Sequence, residues 1–173
     1  MSSPEINNPN GMQDMASTEP SAKPVFTPPT EGELITSTST GNTYRIGRVI
    51  GEGSFGVVYE CTDTWDNELA VKILKPRGTY EEFRGSAVDE LQKLRTLRHP
   101  NVTYVHDGFE FRHTFYIVFE RCWQPINQFI QRENFKGHFW LRAMARQLLQ
   151  AVHFLHCNDV REQVPAAAVC AAP

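Results

Sequence analysis

The chain has 173 residues, with 17 Lys and Arg against 20 Asp and Glu, and a formal charge of -3. That length suits one domain, and a near-balance of charge without a block of Lys and Arg gives no footprint for nucleic acid or an anionic membrane surface as partner. No apolar run reaches the ~20 residues a membrane helix requires, and Ser2 to Asn10 lacks the apolar core of a signal peptide, so a soluble chain is expected. Cys61, Cys122, Cys157 and Cys170 lie far apart with no C-x-x-C spacing, which argues against a zinc site or a disulfide framework and for a reducing intracellular compartment.

From Met1 to about Thr40 the sequence is rich in Ser, Thr, Pro, Asn and Glu and has no apolar periodicity, which predicts a disordered tail. At Tyr44 the composition changes. Tyr44 to Ile50 alternates like a strand, a glycine-rich interruption follows, and Val57 to Cys61 resumes the pattern, so a hairpin is expected. Asp66 and Asn67 mark a turn, with Trp65 expected to pack there, and Leu69 to Leu74 forms a third strand of an antiparallel meander. Thr79 with Glu82 three positions later has the capping-box spacing and opens a helix to about Leu97, ended by His99-Pro100-Asn101. Two further strands are expected near Val102 to Phe109 and Phe115 to Phe119. After Pro125 the pattern turns helical, first near Ile126 to Gln131 and then from about Phe139 to His156, with Leu141, Met144, Ala145, Leu148, Val152 and Leu155 on the apolar side.

Gly51-Glu52-Gly53-Ser54-Phe55-Gly56-Val57-Val58 fits G-x-G-x-x-G-x-V, where missing side chains let backbone amides approach phosphate oxygens. The competing dinucleotide fingerprint needs a helix opening within the glycines, whereas Val57 to Tyr59 begins a strand; plain hairpin punctuation is the bland alternative. Period two places Ala70, Lys72 and Leu74 on one face of their strand and Leu69, Val71 and Ile73 on the other. An ammonium in so apolar a strand either snorkels to water or needs an anion. Phe83, Ala87, Leu94 and Leu97 define a core-facing helix stripe, and Glu90 occupies the i+7 position within it. A carboxylate there is costly unless paired, so a Glu90 to Lys72 ion pair is expected, aiming the ammonium at phosphates under the glycines; the alternative puts Glu90 on a solvated face with Glu82 and Lys93.

The glycine loop, strand lysine and helix carboxylate, in that order on those elements, resemble a eukaryotic protein kinase from Tyr44 to about Asp159. Phe119-Glu120-Arg121-Cys122, and Met144 to Leu148 leading to Val152 to His156, resemble the LAMMER-type dual-specificity kinases within it. The resemblance implies an α+β fold: a small lobe of a five-stranded antiparallel sheet plus one helix, then a partial helical large lobe. The implied divisions are a tail over 1–40, the small lobe over 41–119, the hinge and first large-lobe helices over 120–159, and an unrelated tail over 160–173. It implies ATP as cofactor, held by Gly51, Gly53, Ser54, Phe55 and Gly56 at the phosphates, with Lys72 and Glu90 as the pair that orients them. Phe119 becomes the gatekeeper, the Glu120 carbonyl and Cys122 backbone the adenine partners, Val58 and Ala70 the cover of the ring, and Ile50 the neighbour of the ribose. A protein substrate or regulator is implied without being identified, and LAMMER likeness adds a nuclear address to the cytoplasmic alternative.

The resemblance breaks near its end. A kinase places H-R-D about five residues beyond the Leu-His that closes the long helix, yet the aligned residues here are Glu162, Gln163 and Val164. Neither the downstream Asn nor a D-F-G follows, and Asp107-Gly108-Phe109 has the wrong place and is expected to be a strand-edge turn. A two-lobed kinase also needs roughly 250 residues. The expectation is therefore a nucleotide-binding portion without metal ligands or catalytic base, inactive in transfer, marginally stable, and with part of its apolar surface left uncovered.

Overall fold

The computed structural model describes residues 26–123, 128, 131 and 137–158. The expected helix near Ile126 lies largely outside them, as does the C-terminal tail. Among the described residues six strands and two helices run in the order β1 (Leu34–Thr36), β2 (Thr43–Glu52), β3 (Gly56–Thr62), β4 (Glu68–Leu74), α1 (Tyr80–Thr96), β5 (Val105–Phe111), β6 (Thr114–Glu120) and α2 (Gly137–Cys157). All strand neighbours are antiparallel, in the sheet order β1-β2-β3-β4-β6-β5. The α+β expectation holds, with one strand more than the five foreseen.

The extra strand corrects the expected extent of the tail. Leu34 to Thr36 pairs with Thr43 to Arg45, and Ile35 is buried, so order begins before Thr40. Three residues are too few to show a period, and a polar turn dilutes the local composition.

Alternation in β4 sends its side chains into two different cores. Leu69, Val71 and Ile73 join Ile35, Ile46, Tyr59, Phe109 and Val118 on one face. On the other, Leu74 lies with Phe83 and Ala87 of α1 and with Val105, Phe115 and Ile117. Full burial of one such Ile or Val contributes about 1.5–3 kcal/mol, so β4, buried on both faces, is the axis of the lobe. Gly56 is required for this closeness: a Cβ there would run into the carbonyl of Ile73 on the paired strand.

α1 begins where its capping box predicts. The Glu82 amide donates to Thr79 Oγ1 at 3.4 Å and the Thr79 amide donates to Glu82 Oε2 at 2.9 Å. Those bonds hold the Glu82 carboxyl below its ordinary range, the backbone bond from Thr79 being the main cause.

Beyond α1, Leu97 and Val102 receive Ala151 and Leu155 of α2, and His99 stacks on Phe154 with centroids 5.0 Å apart. Ala151 and Leu155 at this end of α2 are buried. Leu141 and Leu148 of the expected apolar stripe are exposed, as is Leu149 beside them, whereas Leu155 of the same stripe is buried.

Two local expectations fail. Trp65 is 71% exposed instead of packed, because Asp63 builds the turn by accepting from the amides of Trp65 and Asn67 at 2.9 and 3.0 Å, leaving the indole no structural task there. Asp107-Gly108-Phe109 is not a strand-edge turn but the interior of β5, following a register shift between Val105 and Asp107.

The sheet curls until its two edges approach each other. β1 and β5 are the edge strands, yet Thr38 and Ser39 donate to the carbonyls of Glu110 and Gly108, and Tyr44 stacks on Phe109 at 5.9 Å. Accumulated right-handed twist produces this closure.

Candidate functional site

Register assembles the site on one face of the sheet. Val58 pairs with Lys72, Lys72 with Ile117, and Ala70 with Phe119, so these residues project together on the face that α1 covers. Lys72 is buried, and its Nζ donates to Glu90 Oε1 at 2.9 Å, with side-chain exposures of 10% and 19%. The alternatives of a snorkelling lysine and a solvated glutamate are excluded by this contact. Each charge alone in such surroundings would cost several kcal/mol, whereas together they form a charge-assisted hydrogen bond with the ammonium held beside the glycine loop.

That loop is the connection between β2 and β3. Gly53 donates its amide to the Gly56 carbonyl at 2.9 Å, closing the tip, and a side chain at Gly53 would meet nothing within 4 Å. Space is therefore left open on the loop at Gly53, while Gly56 serves the strand pairing. Ser54 and Phe55 form the exposed tip and Gly51 lies opposite Val58. Ile50 sits at the exposed end of the β2 arm.

The loop is also gripped by residues that sequence reasoning missed. Lys75 Nζ donates to the Gly53 carbonyl at 3.2 Å and pairs with Glu52 at 2.7 Å. Arg77 donates to the Ser54 carbonyl at 2.6 Å and lies over the Phe55 ring at 4.6 Å. Their position just after β4 was the available signal.

At the end of β6, Phe119 is partly buried at the margin of the α1 core. Glu120 is held on one side: its amide donates to the Tyr104 carbonyl at 3.1 Å and its Oε1 accepts from the Tyr104 amide at 2.8 Å. Arg121 is held on the other, pairing with Glu60 at 2.8 Å and Glu68 at 3.1 Å. Arg48 also reaches Glu60, and the two guanidinium groups, with the Arg48 hydrogen bond foremost, hold its carboxyl below the usual range. Cys122 follows, half-buried. Cys61 is a free thiol, and burial pushes it up to about 12.

Among the described residues no group of three His, Cys, Asp or Glu is placed to hold a metal ion. No described helix is long and apolar enough to cross a membrane.

A curled antiparallel sheet carrying one buried lysine, a helix that answers it with glutamate and a glycine loop above them define a kinase-type nucleotide lobe. The sequence matches the protein kinase domain family over residues 44–161, and the chain belongs to that family. It is similar to mouse cyclin-dependent kinase-like 5, 31% identical over 121 residues, covering 69% of this chain and 13% of that protein. Serine/threonine-protein kinase AFC1 of Arabidopsis thaliana is 30% identical over 120 residues, 65% of this chain and 25% of that protein. Human dual specificity tyrosine-phosphorylation-regulated kinase 4 is 33% identical over 137 residues, 70% of this chain and 26% of that protein. The chain thus spans about a quarter or less of the length of these curated relatives.

Proposed function

We propose that this stretch binds ATP between the glycine loop and the segment Glu120 to Cys122. Adenine would lie under Val58 and Ala70 against the backbone of Glu120 and Cys122, with Phe119 limiting the depth of the cleft and Ile50 beside the ribose. The phosphates would lie beneath Gly51 to Gly56, with Lys72 donating to them while Glu90 holds its ammonium in place. The single observation that carries this reading is the 2.9 Å contact between Lys72 and Glu90 on the face shared with Val58, Ala70 and Phe119. Titration with a fluorescent ATP analogue tests it. Lys72→Met is expected to weaken binding about tenfold or more, the loss of one charge-assisted bond; unchanged binding overturns it.

The whole protein's activity follows as a proposal from the kinase relatives: ATP-dependent phosphorylation of Ser, Thr or Tyr in proteins. The sequence through Phe119 to Cys122 and Met144 to His156 supports a LAMMER-like assignment within the family. Residues 1–173 supply the phosphate-orienting pair but carry Glu162-Gln163-Val164 at the aligned catalytic-loop position, and transfer relies on groups held there and on the magnesium ligands downstream. We therefore read this stretch as nucleotide-binding without transfer. A mass-spectrometric phosphotransfer assay with Lys72→Met as background decides it, and turnover above that background refutes it.

A second reading, a pseudokinase-like module that binds nucleotide or kinase regulators, is favoured by the exposed apolar side chains Trp140, Leu141 and Leu149 along α2. A stable stoichiometric complex in cells supports it, and rapid degradation of the free chain opposes it.

A further inference from the structure

Asp107 is fully buried in β5 and has no role in the nucleotide contacts above. Its Oδ2 accepts from Thr40 Oγ1 at 2.7 Å and from Tyr44 Oη at 2.9 Å. Its Oδ1 accepts from the Gly108 amide at 2.7 Å and lies 3.9 Å from Arg95 Nη2. Burial and this carboxylate raise the Tyr44 hydroxyl well above the usual tyrosine range, so it stays a donor. The groups that meet Asp107 come from opposite sides. Thr40 and Tyr44 belong to the turn between β1 and β2 and to the start of β2, whereas Arg95 belongs to the last turn of α1.

Neighbouring residues repeat the arrangement. The Gly108 carbonyl accepts from Ser39 Oγ at 3.0 Å and from Arg95 Nη2 at 3.5 Å. The Glu110 carbonyl accepts from Thr38 at 3.2 Å, while its carboxylate accepts from Tyr80 Oη, at the first turn of α1, at 2.6 Å. Between those two attachments α1 rests directly on β5: a Cβ on Gly108 would overlap the methyl groups of Leu91, the residue that follows Glu90. One segment of strand is thus gripped by the turn at residues 38–44 and seats the helix at its start, middle and end.

We propose that the turn between β1 and β2, acting through Asp107 and Gly108, is a positioning clasp for α1 that sets where Glu90 meets Lys72. The inference rests on the reading of that ion pair as the phosphate-orienting contact. N–H···O hydrogen bonds fall mostly within about 2.7–3.2 Å, so a displacement of α1 by about 1 Å stretches the 2.9 Å contact between Glu90 and Lys72 out of that range. A fully hydrogen-bonded buried carboxylate is a rigid seat because any movement orphans a donor. Residues 38–42 precede the stretch matched to the kinase family, so the donor side of the clasp begins ahead of that domain.

The test uses the full chain. Thr40→Val combined with Tyr44→Phe removes both hydroxyl donors at nearly constant volume, and Arg95→Leu removes the helix-side contact from a half-exposed position. Lys72 accessibility is read as its rate of reductive methylation by formaldehyde and cyanoborohydride, quantified by mass spectrometry, and nucleotide affinity with a fluorescent ATP analogue. Cys61→Ala, a cavity in the core that Tyr44 shares but that includes no residue of α1, is the control for general destabilisation. The clasp variants are expected to methylate Lys72 faster and to bind nucleotide more weakly, each by about threefold to tenfold, while the control lowers the melting temperature without changing the Lys72 rate. Clasp variants that melt lower but keep the wild-type Lys72 rate overturn the proposal. Should the double variant fail to fold, Arg95→Leu decides by the same criterion. If wild type binds no nucleotide, the ATP reading fails, and the methylation rates still decide the clasp.

Discussion

Glu90 and Asp107 are both carboxylates withdrawn from water in one lobe, and they are satisfied in opposite ways. Glu90 meets a single cation and retains 19% side-chain exposure. Asp107 has no exposure and is held by two hydroxyls and a backbone amide, with its nearest guanidinium at 3.9 Å. A lone, partly exposed ion pair lets the ammonium act on a third, anionic partner. A buried carboxylate whose oxygens already accept from two hydroxyls and an amide has little capacity left for chemistry and serves to fix backbone in place.

That contrast breaks first at Asp107. Asp107→Ala orphans the buried Tyr44 hydroxyl and Gly108 amide and takes the acceptor from the exposed Thr40, and is expected to cost about 3 kcal/mol, whereas Asp107→Asn retains an acceptor and costs less; urea unfolding measures both. Equal losses would mean that burial volume matters there and hydrogen bonding does not. Glu90→Gln is expected to cost about 2 kcal/mol, less than a fully buried pair because water reaches the site, and to weaken ATP-analogue binding more than any Asp107 variant of equal stability. Equal binding losses at matched stability would erase the distinction between the two carboxylates.

Two smaller effects sharpen the comparison at a third carboxylate, Glu82, which is exposed. Thr79→Ala removes the cap and is expected to cost about 1 kcal/mol in thermal melting. Because the Thr79 bonds lower the Glu82 carboxyl, its contribution is fully present above the ordinary glutamate range and is lost as pH falls through and below it. Stability measured from about pH 5.5 to 3 should therefore fall slightly less in Glu82→Gln than in wild type. Identical profiles would show that the capping box carries no pH-dependent stability.

Much of the site was legible before any coordinates. The capping box places the start of α1, the strand period puts Lys72 on the face of Ala70, and the helix stripe carries Glu90 to the same face, all because short-range periodicity dictates which side a residue takes. The glycine loop reads as a turn between strands for the same local reason. Lys75 and Arg77 escaped notice because their partners are backbone carbonyls of the loop, which no pattern of side chains announces.

Only the tertiary structure decided the place of Asp107. Its donors lie more than sixty positions earlier in the chain, and they reach it because twist accumulated over six strands carries β1 around to β5. The same closure orders Leu34 to Thr36 and turns an apparent tail into part of the lobe. Local sequence determined the elements, the faces they present and the pairing of Lys72 with Glu90. The curl of the sheet is a sum of small rotations that no single residue encodes, and it determined which edges meet and where the helix is seated.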